Sequence, residues 1–174
     1  AIVTNAAGCG SAMKDYGHAF AGRAQADALG AFSTRVRDVA EFLDHLGPVD
    51  LPAWPEPIVV AYHDACHLAH AQRIRRAPRA LLERIGNVRL VEIPSGDTCC
   101  GSAGLYNVEQ PDIAADLGER KAAAIESTTA SIVAAGNIGC LVQIAHHLAR
   151  RHDTPPRVLH TMQVMAEALR QGRR

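Results

Sequence analysis

Four short apolar runs constrain the fold of this 174-residue chain more than any other feature of its sequence. They are rich in β-branched residues and continuous rather than alternating, which is the pattern of parallel strands covered on both faces. The four runs are Ile2 to Thr4, Ile58 to Tyr62, Val88 to Ile93, and Ser131 to Ala134. A fifth short run, Arg157 to His160, leads into a closing helix.

Amphipathic segments separate these runs. Thr34 to Leu46, for example, carries apolar residues at Val36, Val39 and Leu43, which is a helical spacing. The predicted helices are Thr34 to Leu46, Pro78 to Ile85, Pro111 to Ser127, Gly136 to Arg151, and Thr161 to Arg170. Alternating strands and helices predict an α/β fold, with a layered, open, mostly parallel sheet flanked by helices.

All five cysteines of the chain lie just past the end of a predicted strand. They are Cys9, Cys66, Cys99, Cys100 and Cys140. Because the carboxyl ends of the strands in an open parallel sheet share one edge, thiols that are tens of residues apart are expected to meet there. A single cysteine is more often a small core residue than a ligand, but the placement of all five favours a metal or cluster site. Cys140 also stands at the start of a predicted helix, where exposed amide groups favour a thiolate.

The segment GDTCCGSAG, Gly96 to Gly104, places two cysteines side by side in a glycine-rich turn. A disulfide between Cys99 and Cys100 would close a strained ring, so the pair is not expected to stabilise the fold in that way. The odd number of cysteines, at irregular spacing, also argues against a secreted disulfide framework. The glycines allow the backbone to bend tightly and to approach a metal or cluster closely.

The composition narrows the range of functions. The formal net charge is zero and aromatic residues make up only 4% of the chain, so neither a nucleic-acid groove nor binding to an acidic membrane surface is predicted. No apolar stretch reaches the roughly 20 residues that cross a bilayer, which predicts a cytoplasmic protein. The chain opens directly on the apolar run AIVTN, without an initiator methionine, and we expect it to be a fragment of a longer protein.

Histidines near Cys66 are compatible with two kinds of site, a metal centre and the active site of a thiol enzyme. His63 and His67 are candidate ligands or hydrogen-bond donors to sulfur and, with Cys66 as nucleophile, either is a candidate base of a thiol enzyme. The alternative for His63 is a hydrogen bond to a backbone carbonyl at the strand end. His146 and His147 are expected to lie at a solvated, basic helix C-terminus.

Long, ordered motifs give the chain a resemblance to a known family. A cysteine at Cys66, a CCG at Cys99 to Gly101 and a later cysteine at Cys140 resemble the cysteine-rich CCG domain of heterodisulfide reductase and its relatives. The segments NAAGCGSAMKDYGH, YHDACHLAHAQ, CCGSAGLYNVEQPDIAADLGERK and GNIGCLVQIAHHL resemble the iron-sulfur subunit of glycolate oxidase. The resemblance implies a Rossmann-like CCG fold, in which residues 1–50 are the end of a first CCG repeat with a connecting helix and residues 51–174 are the second CCG domain.

The resemblance also implies an iron-sulfur cluster, of the 4Fe-4S type. Its expected ligands are Cys66, Cys99, Cys100 and Cys140. Cys9, from the first repeat, is expected to be a metal ligand at a neighbouring position. Gln143 stands where the family's fullest pattern, CxxC, has a second cysteine. Four thiolates suit an iron-sulfur cluster or a tetrahedral zinc ion, so zinc stays an alternative, and no catalytic residue is predicted.

The function implied by the resemblance is electron transfer. A subunit of this kind carries electrons from a flavin-containing partner, which oxidises glycolate to glyoxylate, towards an acceptor at the membrane. The protein is therefore expected to be cytoplasmic, or peripheral at the inner membrane through its complex. The sequence lacks the CxxCxxCxxxCP run of a cubane-cluster module, so the fragment alone is expected to be inactive. The alternatives are a zinc-containing or metal-free CCG module that docks subunits, and a subunit of a lactate-utilisation type oxidoreductase.

Overall fold

The computed structural model describes residues 1–48 and 50–172, so Val49, Arg173 and Arg174 lie outside the described residues. The strands are β1 (Ile2–Thr4), β2 (Val36–Asp38), β3 (Ile58–His63), β4 (Val88–Glu92), β5 (Ile132–Ala135) and β6 (Arg157–His160). The helices are α1 (Ala7–Lys14), α2 (Tyr16–Ala19), α3 (Ala26–Ser33), α4 (Val39–His45), α5 (Arg76–Glu83), α6 (Tyr106–Glu109), α7 (Pro111–Glu126), α8 (Ile138–Arg151) and α9 (Thr161–Gln171). A π-helical turn, His67–Ala71, follows β3. Within the described ranges, no helix is both long enough and apolar enough to cross a membrane.

The larger of two sheets has four parallel strands in the order β4-β3-β5-β6. In the centre of this sheet, Tyr62 of β3 pairs with Glu92 of β4 on one side and with Ala134 of β5 on the other. Ala135 of β5 pairs in turn with His160 of β6. The strands therefore end side by side, and the predicted α/β fold with parallel strands flanked by helices is confirmed.

Both faces of the larger sheet are covered, as the continuous apolar runs predicted. Val60 of β3 packs in a core cluster with Leu81 of α5 and Val164 of α9. The next residue, Ala61, points to the opposite face and packs with Ile125 of α7, and this second cluster also contains Cys100 and Cys140. Trp54, in the first cluster, is buried. The face that holds the two cysteines is thus the one covered by α7 and α8.

One predicted helix is in part a strand of the smaller sheet. The interpretation of Thr34 to Leu46 as a single helix was wrong, because Val36–Asp38 forms β2, which pairs in parallel with β1. The helix that follows, α4, begins at Val39 behind a capping box, in which the Asp38 carboxylate accepts the Ala40 N–H at 2.8 Å and Glu41 accepts the Asp38 N–H at 3.2 Å. The helical spacing of the apolar residues continues through Val36–Asp38 and therefore predicted a helix there. These three residues form a strand because they pair with β1, which lies more than 30 residues earlier in the chain.

Helix α1, which follows β1, contacts the loops at the carboxyl edge of the larger sheet. Ala7, at the start of α1, donates its N–H to the carbonyl of Gly136 just after β5, at 3.1 Å. Its own carbonyl accepts a hydrogen bond from the Gln72 side chain at 3.0 Å, and the Gly8 N–H is donated to Asn137 Oδ1 at 3.3 Å. These bonds hold α1, and with it Cys9, beside the ends of β3 and β5.

Candidate metal centre

The five cysteines meet around one cavity at the carboxyl edge of the larger sheet. The cavity has a volume of about 370 Å³. Its cysteine lining consists of Cys9, Cys66, Cys99, Cys100 and Cys140. The three connections that supply the last four residues follow β3, β4 and β5, so the alignment of the strand ends explains why they meet. The expected convergence of the thiols is confirmed, whereas their role as metal ligands stays a prediction.

Four of the thiols form a row of neighbours, in the order Cys66, Cys99, Cys100, Cys140. Cys100 and Cys140 are buried, with exposed fractions of 2% and 3%. Cys66 and Cys99 are partly exposed and stand nearer the mouth of the cavity, and Cys9 is exposed. A group bound in the cavity would thus meet sulfur atoms both from the core side and from the solvent side.

Along this row, thiols with a raised pKa alternate with thiols whose pKa is lowered from the usual cysteine value. The pKa of Cys99 is lowered by the thiols of Cys100 and Cys66, and that of Cys140 is lowered first by Cys100. The pKa of Cys66 is raised, chiefly by Cys99, and that of Cys100 is raised by Cys140 and Cys99. Sulfur atoms this close cannot all carry negative charge without a cation between them. A metal ion removes that conflict, because a coordinating thiol is deprotonated by the ion it binds.

The CCG turn is shaped by Gly101. This residue has a φ of +92°, a conformation that L side chains rarely adopt, and an added Cβ would overlap the carbonyl oxygen of Ala114 on α7. Its N–H is donated to the sulfur of Cys99 at 3.3 Å. On the neighbouring loop, the Asn137 amide donates to the sulfur of Cys140 at 3.5 Å. Both contacts favour a thiolate, the first through a backbone N–H and the second through a side-chain amide.

Two histidines stand beside the thiols. His63, the last residue of β3, is 1% exposed and lies with Cys100 and Cys140 in a group whose potential ligand atoms are all within 4.8 Å of one another. The alternative of a hydrogen bond to a backbone carbonyl was wrong, since neither ring nitrogen of His63 has a hydrogen-bond partner among the described residues. His67 Nδ1 lies 3.5 Å from the sulfur of Cys66. The cavity is therefore lined by imidazole as well as by thiol groups.

Comparison with known protein families agrees with this arrangement of thiols. Residues 60–145, from β3 into α8, match the model of a family described as a cysteine-rich domain, CCG. This part of the chain is similar to a CCG domain. The match contains four of the five cysteines that line the cavity, and Cys9 lies outside it.

Three curated relatives are similar to most of this chain. A probable glycolate oxidase iron-sulfur subunit of Bacillus subtilis is 32% identical over 97% of this chain, and the glycolate oxidase iron-sulfur subunit of Escherichia coli is 34% identical over 97%. The aligned regions cover 38% and 40% of those two proteins, so the chain spans about two fifths of their length. Lactate utilization protein A of Oceanobacillus iheyensis is 26% identical over 94% of the chain and 67% of the relative.

A buried lysine forms hydrogen bonds to the loop that leads into the CCG turn. Lys121 on α7 is 1% exposed, and its ammonium donates to the carbonyl oxygens of Ser95 at 3.1 Å and Gly96 at 3.3 Å. Burial lowers the pKa of Lys121, and the charge of nearby Cys100 acts in the opposite direction. Sequence reasoning missed this residue. The available signal was its place on the apolar face of α7, at helical spacing from Ala114, where a lysine needs a buried partner.

Substitution of Lys121 by methionine should lower the free energy of unfolding of the protein by about 1–3 kcal/mol, because the carbonyl oxygens of Ser95 and Gly96 lose their donor. Urea unfolding followed by circular dichroism measures this change. Lys14→Met is the matched control, since Lys14 bonds Glu41 in a partly exposed ion pair worth less than about 1 kcal/mol. Equal stability of the two variants would contradict the supporting role of Lys121.

Gln143, at the position of the missing fifth cysteine, does not line the cavity. Its amide nitrogen lies 3.3 Å from the Ala114 carbonyl oxygen and 3.3 Å from His147 Nε2. His147 is buried, against the prediction of a solvated position, and bonds Glu119 at 2.8 Å. The reason is Gly118 on α7, whose missing side chain leaves the space that the His147 ring fills. His146 is exposed, as predicted.

Proposed function

We propose that this chain carries the iron-sulfur cluster of an electron-transfer subunit in an oxidoreductase complex. The observation that carries the proposal is the row of four neighbouring thiols at the carboxyl edge of the sheet, two of them buried. Thiolate sulfur is the ligand that holds iron-sulfur clusters in proteins, and zinc accepts the same donors. The names of the relatives in Bacillus subtilis and Escherichia coli favour iron-sulfur chemistry over zinc.

Each thiol has a distinct part in this proposal. Cys100 and Cys140 would hold the cluster, of the 4Fe-4S type, from the core side, and Cys66 and Cys99 would hold it from the mouth of the cavity. The bound cluster supplies a centre that takes up and releases one electron. The N–H of Gly101 lies 3.3 Å from the Cys99 sulfur, and hydrogen bonds to cluster sulfur adjust the reduction potential. The partly exposed pair at the mouth keeps the centre within reach of a redox partner.

The complete complex would oxidise glycolate to glyoxylate at a flavin-containing partner subunit. Electrons would then pass through this chain to an acceptor at the membrane, so the complex is cytoplasmic and peripheral at the inner membrane. Two relatives named for glycolate oxidase, each aligned over 97% of this chain, support this assignment. The chain spans only about two fifths of their length, and the overall reaction is therefore proposed for the complex and not for this chain alone.

The same proposal divides the chain into the end of a first CCG repeat, residues 1–50, and a second CCG domain, residues 51–174. The order of elements supports it. In residues 1–50, β1 is followed by a helix that carries Cys9 and, after the additional helices α2 and α3, by β2 and by α4 with its capping box. In the second unit, β5 is followed by a helix that carries Cys140, then by β6 and by α9, which also begins at a capping box.

Anaerobic reconstitution with iron and sulfide tests the cluster assignment. The expected result is a visible absorption band, an EPR signal on oxidation or reduction, and comparable amounts of iron and sulfide per chain. The double variant Cys99→Ala, Cys100→Ala should lose all three. Leu105→Ala is the control, because Leu105 belongs to the same loop and is 70% exposed. Unchanged spectra in the double variant would show that the thiol row is not the site.

A zinc-containing module that docks subunits is the second candidate. The group of His63, Cys100 and Cys140 favours it, since mixed nitrogen and sulfur ligands are typical of structural zinc. Elemental analysis of protein produced with iron available separates the two candidates, and one zinc with no iron would select the docking module. The thiol-enzyme alternative is weakened because the pKa of Cys66 is raised, which leaves a poor nucleophile at neutral pH.

The choice between glycolate and lactate is tested with the purified complex. Glycolate should reduce the cluster and change its EPR signal within the time of one turnover, whereas lactate at the same concentration should not. Reduction by lactate alone would favour a lactate-utilisation type subunit, in line with the relative in Oceanobacillus iheyensis.

A further inference from the structure

His63 is the buried polar side chain that the thiol row leaves unexplained. It is 1% exposed, and both ring nitrogens lack a hydrogen-bond partner among the described residues. Burying an imidazole without a partner costs the desolvation free energy of its polar atoms, so native structures rarely tolerate it. The Cys140 thiol, itself a predicted ligand of the centre, is the neighbour that interacts with this ring, and the described residues offer His63 no hydrogen-bond partner away from the thiols.

The ring is directed at the sulfur atoms rather than away from them. His63 ends β3 two residues after Ala61, so both residues point to the face of the sheet that holds Cys100 and Cys140. The potential ligand atoms of His63, Cys100 and Cys140 lie within 4.8 Å of one another. A metal binds imidazole nitrogen at about 2.0 Å and thiolate sulfur at about 2.3 Å, so groups this close would all be within reach of one bound metal centre.

The other histidines near the cavity have partners. His67 lies 3.5 Å from the Cys66 sulfur, and His70 is exposed and contacts Arg75. Gln143, where the family's fullest pattern has another cysteine, contacts Ala114 and His147 instead. Of these candidates for a fifth ligand, His63 alone is both buried and directed at the thiols.

We propose that His63 is a direct nitrogen ligand of the metal centre, beside Cys100 and Cys140. This inference rests on the proposed function, since it requires a metal centre in the cavity. The family's fullest pattern supplies a fifth thiolate in addition to the four thiolates found here, and His63 would take the place of that fifth ligand. A neutral imidazole there would make the centre less negative, and replacement of thiolate by imidazole raises the reduction potential of iron-sulfur centres. His63 thus supplies the donor that Gln143 does not, and it sets the potential at which the centre accepts an electron.

Pulsed EPR tests directly whether a histidine nitrogen binds the centre. The protein is produced with ¹⁵N-labelled histidine and then reconstituted with iron and sulfide. A strong ¹⁵N coupling to the cluster is expected, and it should persist in His67→Gln but disappear in His63→Cys. A redox titration should also give a lower midpoint potential for His63→Cys than for the parent. His70→Gln is the control and should leave both the coupling and the potential unchanged.

The possible failures have different meanings. A cluster without ¹⁵N coupling in the parent, or a coupling that disappears in His67→Gln, overturns the role of His63 while the proposed function stands. If His63→Cys does not fold, the result for His67→Gln still decides between the two histidines. If the chain binds zinc and no iron, the proposed function fails, and X-ray absorption of the zinc protein must still show a nitrogen ligand. Protein that binds neither metal overturns both proposals.

Discussion

Gly101→Ala should abolish cluster assembly and lower the free energy of unfolding by about 2–5 kcal/mol. Two unfavourable contributions to the free energy of the folded state add up in this estimate. A φ of +92° is unfavourable for alanine, and the added Cβ would overlap the carbonyl oxygen of Ala114. Relief of the overlap requires the turn to move away from α7, which displaces Cys99 and Cys100 from their neighbours. Iron content after reconstitution and urea unfolding measure the two effects.

Gly104→Ala is the matched control for this variant. Gly104 belongs to the same loop and also has a positive φ, of +66°, but no atom lies within 4 Å of an added Cβ. Only the backbone cost of about 1–2 kcal/mol applies there, and cluster assembly should be retained. If both variants assemble the cluster equally well, the close approach of Gly101 to α7 is not what positions the thiols.

Cys140→Ala should remove the cluster almost completely, whereas Cys9→Ala should retain it. Cys140 is 3% exposed and stands at the buried end of the thiol row, so its loss leaves the core side of the centre with one thiolate. The fold should survive, because alanine removes a single sulfur atom from the core. Cys9 is exposed at the mouth of the cavity and lies outside the region that matches the CCG family model.

Iron and sulfide per chain, measured after the same anaerobic reconstitution, compare the two variants. The comparison also tests the proposed division of the chain near residue 50, since Cys9 is assigned to the first repeat. Equal loss of iron in both variants would contradict that division and would make Cys9 a ligand of the same centre. Full iron retention in Cys140→Ala would exclude Cys140 from the ligand set.

Two features of the candidate site were not predicted, because each depends on distant parts of the chain. Lys121 is buried only because the connection after β4 folds back over α7 and presents the carbonyls of Ser95 and Gly96 to its ammonium. His147 is buried only because Gly118 leaves room on the facing helix. Local patterns around these residues describe a charged helix and a basic helix end, and contain no information about what packs against them.

The amino-acid sequence by itself determined the α/β class, the positions of five strands and the edge at which the cysteines meet. It could do so because buried parallel strands have a local apolar pattern, and because parallel strands end at one common edge. The tertiary structure decided that Val36–Asp38 is a strand, that Gln143 turns away from the cavity and that His63 faces the thiols. These outcomes depend on contacts between residues far apart in the chain, where packing and burial outweigh local preference.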